Sequence, residues 1–223
     1  MKWLQLFLEF LFPNRCLGCR RTGLLLCMDC LVKIPIQQRI RSPVEKDWSL
    51  DGLLVISPYL KGEILQKAIQ AMKYQNGSSL AEILGQWMAT HSIGIVKHEL
   101  GSENIVLVPV PLHPKREKKR GYNQARLLAL AVSGFSVLLK PQLPLIEPLQ
   151  RIRNTPPQAQ LSRNDRIRNL SDSFIVKENS LSLNKKIVLV DDVCSTGSTL
   201  NECARVLKQH GAHIVWGLVL ARG

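Results

Sequence analysis

The stretch Ile187-Val-Leu-Val-Asp-Asp-Val-Cys-Ser-Thr-Gly-Ser-Thr199 constrains the fold more tightly than any other part of this 223-residue chain. Its apolar run is too short for a helix and is β-branched, which marks a strand buried on both faces, as in a parallel sheet. Two acids, Asp191 and Asp192, stand at the carboxyl end of that strand. Past them comes a turn rich in hydroxyls, in which Gly197 permits a tight bend and close approach to a ligand. Leu200, Cys203, Ala204 and Leu207 then recur at helical spacing, and Gly211 is a C-terminal stop. The turn therefore sits at the positive end of a helix, where an anion is held.

Other nucleotide-binding folds also place acids after an apolar strand, and the sequence removes three of them. It contains no Gly-x-x-x-x-Gly-Lys-Ser/Thr, so the turn lacks the lysine of a P-loop, and no Gly-x-Gly-x-x-Gly dinucleotide fingerprint. No separate strand offers the phosphoacceptor aspartate of a receiver domain. The segment resembles the 13-residue motif of type I phosphoribosyltransferases, which bind phosphoribosyl pyrophosphate (PRPP). The resemblance implies that Asp191 and Asp192 hold the ribose hydroxyls. It likewise makes Ser195, Thr196, Gly197, Ser198 and Thr199 the 5′-phosphate loop, with Val193 and Cys194 completing the PRPP segment. Cys203 falls on the apolar face of its helix as a small core residue; Cys194 stands in the cradle as a space-filler or a reactive thiol.

A second constellation is Cys16-x-x-Cys19 followed, seven residues later, by Cys27-x-x-Cys30. Two such knuckles supply four thiolates to one tetrahedral zinc, and so small a segment needs a staple of that kind to fold. A pair of disulfides would require an oxidising compartment, and a redox Cys-x-x-Cys expects a βαβ setting that is not visible here. Residues 1 to 12 are hydrophobic behind one lysine, yet they carry Gln5 and Glu9 and are too short to span a bilayer. They read as a docking helix rather than a signal peptide. With no stretch of transmembrane length, the expectation is a cytoplasmic protein without membrane insertion.

The rest of the chain alternates strand-like and helical stretches. Leu53 to Ser57, Ile105 to Val110, Phe174 to Lys177 and Ile214 to Leu220 read as strands; Ile64 to Lys73, Leu80 to His91 and Tyr122 to Val132 read as helices. The pattern implies an α/β fold, a parallel sheet flanked by helices, with a small N-terminal zinc-binding module. A break in periodicity between Ile34 and Trp48 divides the chain into residues 1–45, helix, cysteine module and linker, and residues 46–223, the larger domain. Ligands of open sheets bind beyond the carboxyl ends of strands, so the turn after Val110 is expected to face the turn after Val190.

The net charge of +13 is concentrated. Residues 113–126 hold six Lys or Arg against one acid, residues 150–168 five against one, and residues 1–46 eight against three, which leaves the remainder near neutral. The first cluster, with Lys115, Arg116 and Arg120 behind Pro111, Leu112 and His113, comes off the strand that should supply a pyrophosphate loop. The second lies in a long connection, residues 140–172, where Arg151, Arg153, Gln158, Arg163 and Arg166 suit a lid that closes over phosphates.

Taken together these stretches resemble the ComF family of competence-associated proteins over nearly the whole chain. The resemblance is carried by Leu11-Phe-Pro-Asn-Arg-Cys-Leu-Gly-Cys19, the second knuckle, Tyr59-Leu-Lys-Gly and Lys73-Tyr-Gln-Asn-Gly. Val108-Pro-Val-Pro-Leu-His, Arg120-Gly-Tyr-Asn-Gln-Ala, Arg153-Asn-Thr-Pro-Pro-Gln with Leu161, Arg166 and Asn169, and the PRPP segment complete it. It implies a structural zinc, PRPP bound with Mg²⁺, a phosphoribosyltransferase-type (glycosyltransferase) reaction on an unnamed acceptor, and a role in DNA uptake during natural transformation. A DNA translocase ATPase is the partner it implies. A binding module is the other expectation: PRPP sensed without turnover, or single-stranded DNA gripped by the basic clusters with Trp3, Tyr122 and Trp48 for stacking.

Overall fold

The computed structural model describes residues 13–41, 48–74, 77–137, 142–154, 172–178 and 184–223. The path runs α1 (Met28–Leu31), β1 (Arg39–Arg41), β2 (Gly52–Pro58), α2 (Ile64–Tyr74), α3 (Gly77–Leu100), β3 (Ile105–Pro109), α4 (Pro114–Arg120) and α5 (Gln124–Ser136). It continues through β4 (Leu149–Arg151), β5 (Phe174–Val176), β6 (Lys186–Cys194), α6 (Ser198–Gln209) and β7 (Ile214–Arg222). Five strands form one sheet in the order β1-β2-β7-β6-β3, parallel from β2 to β3, with β1 antiparallel on the edge. β4 and β5 make a separate antiparallel ribbon.

The central strands are apolar on both sides because both sides are covered. Val188 and Val190 of β6 pack into a layer with α2, α3, α5 and the N-terminal cysteine module. Ile187 and Leu189, one residue out of phase, pack into the opposite layer with α6 and the ribbon. Alternation along a strand thus divides β6 between two cores, and it decides where the acids at its end must point.

The expected strands and helices are present, with four differences. The helix read over 80–91 runs the full 24 residues of α3, because Ile93, Val96 and Leu100 extend the buried stripe begun by Leu80, Leu84 and Met88. The turn expected after Val110 contains α4, a helix with no buried residue, capped by His113, opened by Pro114 and closed by Gly121 at φ 89°. The long connection includes β4, and β1 lies in the stretch read as a linker, where Arg39 pairs with Val55 of β2. The expected helix at 1–12, and Gln158, Arg163 and Arg166, fall outside the described residues.

Candidate functional site

β6 keeps its pairing with β7 beyond the acids, Val193 opposite Ala221 and Cys194 opposite Arg222, before the chain turns. Gly197, at φ 83°, caps α6, and its carbonyl accepts from the Asn201 N–H at 2.9 Å. The hydroxyls of Thr196 and Ser198 are 2.9 Å apart, and the Ser198 N–H points at the Thr196 hydroxyl at 3.4 Å. Ser195 is exposed, whereas Cys194, Gly197 and Ser198 are buried. Trp48 closes the turn from outside: a β-carbon at Gly197 would come within 2.6 Å of its ring. The segment bearing Trp48 is pinned to the helix by Asn201, whose side-chain oxygen accepts from the N–H groups of Ser49 (2.7 Å) and Leu50 (3.3 Å).

Asp192 emerges on the α2–α5 side of the sheet. Its buried carboxylate pairs with the Lys73 ammonium from the last turn of α2 and accepts from Gln124 Nε2 at 3.3 Å. Burial is the largest influence and would raise its pKa; the Lys73 charge, together with hydrogen bonds to Asp191, Lys73 and Gln124, outweighs that and holds the group below the usual carboxylate range. Asp191 is only partly buried and accepts from the Asp192 N–H at 2.9 Å. Its electrostatic neighbours include Cys203 of α6 and Arg151 of the ribbon, on the opposite side of β6. Burial first, then the charge of Asp192, keeps it well above the usual carboxylate range. The two acids are therefore unlike: among the described residues Asp192 forms a salt bridge with a cation and Asp191 does not.

The wall beside Asp192 is built from two sequence blocks. Arg120 at the end of α4 donates to Gln124 Oε1 and lies over the Tyr74 ring at 5.7 Å. The Tyr122 hydroxyl donates to the Met72 carbonyl at 2.6 Å. Asn123 caps α5 through Ala125 N–H (3.0 Å) and donates to the Val110 carbonyl (3.0 Å), which ties the strand end to the same wall. Tyr74, Arg116, Lys119 and Arg120 line an open cleft of about 340 Å³. Lys115 is exposed, and Pro111, Leu112 and His113 are partly so. Lys73, Tyr74, Asn123 and Gln124 carry no role in the sequence reading, and Tyr122 only that of stacking on nucleic acid, although all five stand inside the stretches Lys73-Tyr-Gln-Asn-Gly and Arg120-Gly-Tyr-Asn-Gln-Ala that carry the family resemblance.

Of the lid residues, Arg151 is buried in β4 over the Phe174 ring at 5.3 Å, its pKa lowered by burial first and by Arg116 second. Arg153 is exposed two residues on. The ends of the long connection meet: Ile152 N–H donates to Ser173 O at 2.9 Å, and Asp172 N–H donates to Glu202 of α6 at 3.0 Å. Among the aromatics expected to stack on nucleic acid, Trp48 is packed on Gly197, Tyr122 is engaged by Met72, and Trp3 lies outside the described residues.

At the other pole the sulfur atoms of Cys16, Cys19, Cys27 and Cys30 all lie within 4.8 Å of one another. Cys27 Sγ is 3.6 Å from both Cys16 and Cys19, too far for a disulfide and close to the roughly 3.8 Å edge of a tetrahedron whose metal–sulfur distance is about 2.3 Å. Burial opposes ionisation of Cys16, yet backbone N–H groups of Cys27, Cys19 and Gly18 lower its thiol to about 6. Burial and the neighbouring sulfurs push Cys30 up to about 12. A set of crowded thiols, in which one ionises readily at the expense of another, is relieved by a soft cation at the centre.

A family model described as phosphoribosyl transferase domain matches residues 149–223, which include the ribbon, the acid strand, the turn and α6. The chain is 35% identical over 186 residues to Competence protein F of Haemophilus influenzae, covering 80% of this chain and 76% of that one. It is 30% identical over 155 residues to Competence protein ComFC of Bacillus subtilis, covering 70% of this chain and only 58% of the relative's length. To DNA utilization protein YhgH of Escherichia coli (strain K12) it is 31% identical over 200 residues, covering 88% and 77%.

Proposed function

This chain belongs to the competence protein F family, and from that premise we propose that it binds PRPP with Mg²⁺ as a phosphoribosyltransferase-type protein serving DNA uptake. The observation that carries the reading is the acid pair at the end of β6 running into the Gly197 turn at the head of α6. N–H groups and hydroxyls from Ser195 to Thr199 take the 5′-phosphate, and Asp191 and Asp192 take the ribose hydroxyls. Lys115, Arg116 and Arg120 face the pyrophosphate, and the connection from Arg151 to Arg166 closes over it. Attack by a nucleophile at the anomeric carbon breaks the bond to the pyrophosphate oxygen, which leaves with the electron pair. Fixed cations matched to that leaving charge stabilise the transition state, and the acid pair favours the positive charge developing on the sugar.

The four cysteines hold a structural zinc, with residues 1–45 as its module and linker and residues 46–223 as the catalytic-type domain. Four thiolates of this kind belong in a reducing compartment, the cytoplasm. Among the described residues no helix is long and apolar enough to cross a membrane.

Titration calorimetry with Mg²⁺ and PRPP tests the reading: saturable heat is expected, lost in Asp191→Ala and Asp192→Ala. Pyrophosphate release across a panel of acceptors separates an enzyme from a sensor that binds without turnover. A second reading, binding of single-stranded DNA alongside a DNA translocase ATPase, is favoured by the exposed Lys115, Lys118 and Lys119 of α4. It predicts an affinity that falls steeply with salt and survives both aspartate substitutions.

A further inference from the structure

Asp192 is held from two sides before any sugar arrives, and the group that holds it most firmly is one to which no function has been attached. Lys73 lies in the last turn of α2 and its side chain is three-quarters buried; its ammonium meets a carboxylate that is 5% exposed. Gln124, the first residue of α5, donates to the other oxygen. The residues on either side of Lys73 are fixed in turn. Met72 accepts from the Tyr122 hydroxyl, and the Tyr74 ring carries the guanidinium of Arg120, which donates back to Gln124. The contacts close a ring: Lys73 to Asp192, Asp192 to Gln124, Gln124 to Arg120, Arg120 to Tyr74, and Tyr74 to Lys73 along the chain.

An ion pair so placed is a poor means of holding a fold together, because removing two charges from water offsets most of their attraction and an apolar pair would fill the space as well. Its effect on one carboxylate is specific. A buried acid without a partner takes up a proton or turns toward water, and in either case it stops accepting from a pair of hydroxyls. With Lys73 opposite, the acid stays ionised and fixed in one orientation. Among the described residues no cation forms a salt bridge with Asp191, so the two acids are not equally prepared.

We infer that Lys73 is a positioning residue of the PRPP site, which sets Asp192 to receive the ribose hydroxyls without itself touching the pyrophosphate. The inference rests on the PRPP reading above, and the two fail in different ways. Calorimetric titrations of wild type, Lys73→Met, Lys73→Arg and Asp192→Asn are made with PRPP and Mg²⁺, with ribose 5-phosphate, and with pyrophosphate. Lys73→Met is expected to weaken PRPP and ribose 5-phosphate by about tenfold or more while leaving pyrophosphate within about twofold. Lys73→Arg should restore most of the loss, and Lys73→Met should add little to Asp192→Asn, since both act through one carboxylate. Equal weakening of pyrophosphate would make Lys73 a phosphate contact and overturn the positioning role; so would unchanged PRPP binding in Lys73→Met. Should that variant not fold, Lys73→Gln, which keeps a donor without the charge, is read against the same outcomes. A wild-type protein that binds none of the sugar phosphates sinks the PRPP reading itself.

Discussion

The sulfur knot and the acid cradle are built in opposite ways. Every donor of the knot lies within Cys16–Cys30, and short-range backbone bonds such as Cys16 N–H to Arg21 O at 2.9 Å and Leu17 N–H to Leu25 O at 2.9 Å shape it. The cradle draws its parts from across the chain. Gln124 reaches Asp192 over 68 residues, and Ser49 is held by Asn201 over 152. Chemistry encoded by local spacing survives a change of scaffold, whereas chemistry encoded by topology exists only when the sheet is assembled. The knot is therefore expected to depend on a metal, and the cradle on its packing.

The hardest test of that contrast removes the metal. Chelation, or Cys30→Ala, is expected to take bound zinc from about one per chain to none by elemental analysis and to expose the segment from Asn14 to Ile34 to protease. Because Cys16, Leu26, Cys30, Leu31 and Ile34 belong to the same apolar layer as α2, thermal stability should drop further than for any single change in the cradle.

Next in size is Lys73→Met, which leaves Asp192 buried without its cation and should cost about 3 kcal/mol by denaturant unfolding. Adding Asp192→Asn should recover part of that loss, which would show that charge rather than shape is at stake. Gly197→Ala forces a β-carbon into a left-handed turn, at about 1–2 kcal/mol, and pushes it into Trp48; Trp48→Ala should relieve the collision but not the backbone strain.

A smaller effect of opposite sign is expected at Asp191. Its pKa is raised in the fold, so ionised Asp191 weakens the native state increasingly as pH climbs above the ordinary value of 3.8. Asp191→Asn should raise Tm by about 2–4 °C near neutral pH and leave it unchanged below that value. Asp192 has the reverse sign: its contribution is present above 3.8 and disappears as acid carries the pH down through its lowered pKa. Least of all should come from Arg21→Ala, whose bridge to Asp29 joins side chains 71% and 60% exposed; scanning calorimetry should register no shift. A measurable loss there would mean that surface charge, and not metal alone, braces the knot.

What could be read without coordinates follows the same division. The knot is legible because ligand spacing is a local property, and β2, β3, β6 and β7 are legible because strands covered on both faces are written as apolar runs. α4 hides because Lys115, Arg116, Glu117, Lys118, Lys119 and Arg120 offer no apolar period; its caps, His113, Pro114 and Gly121, were the signal that could have found it. β1 has too few residues to show alternation. The two acids are found by their resemblance to a known motif, but their inequality is not, because a lysine in the last turn of an amphipathic helix reads as a surface charge until the sheet brings Asp192 beneath it.

α2 has a property that neither pole reveals alone. A β-carbon at Gly18, inside the first knuckle, would come within 3.1 Å of the side chain of Ile64, the first residue of that helix, and the helix ends beside Lys73. Eleven helical residues make a stiff strut roughly 15 Å long, since each advances the axis by about 1.5 Å. A shift of the cysteine cluster against one end would be carried along the helix toward the other. A metal held by the four sulfurs would thus act as an anchor bolt for the ammonium that pairs with Asp192, and its extraction is expected to slacken that ion pair.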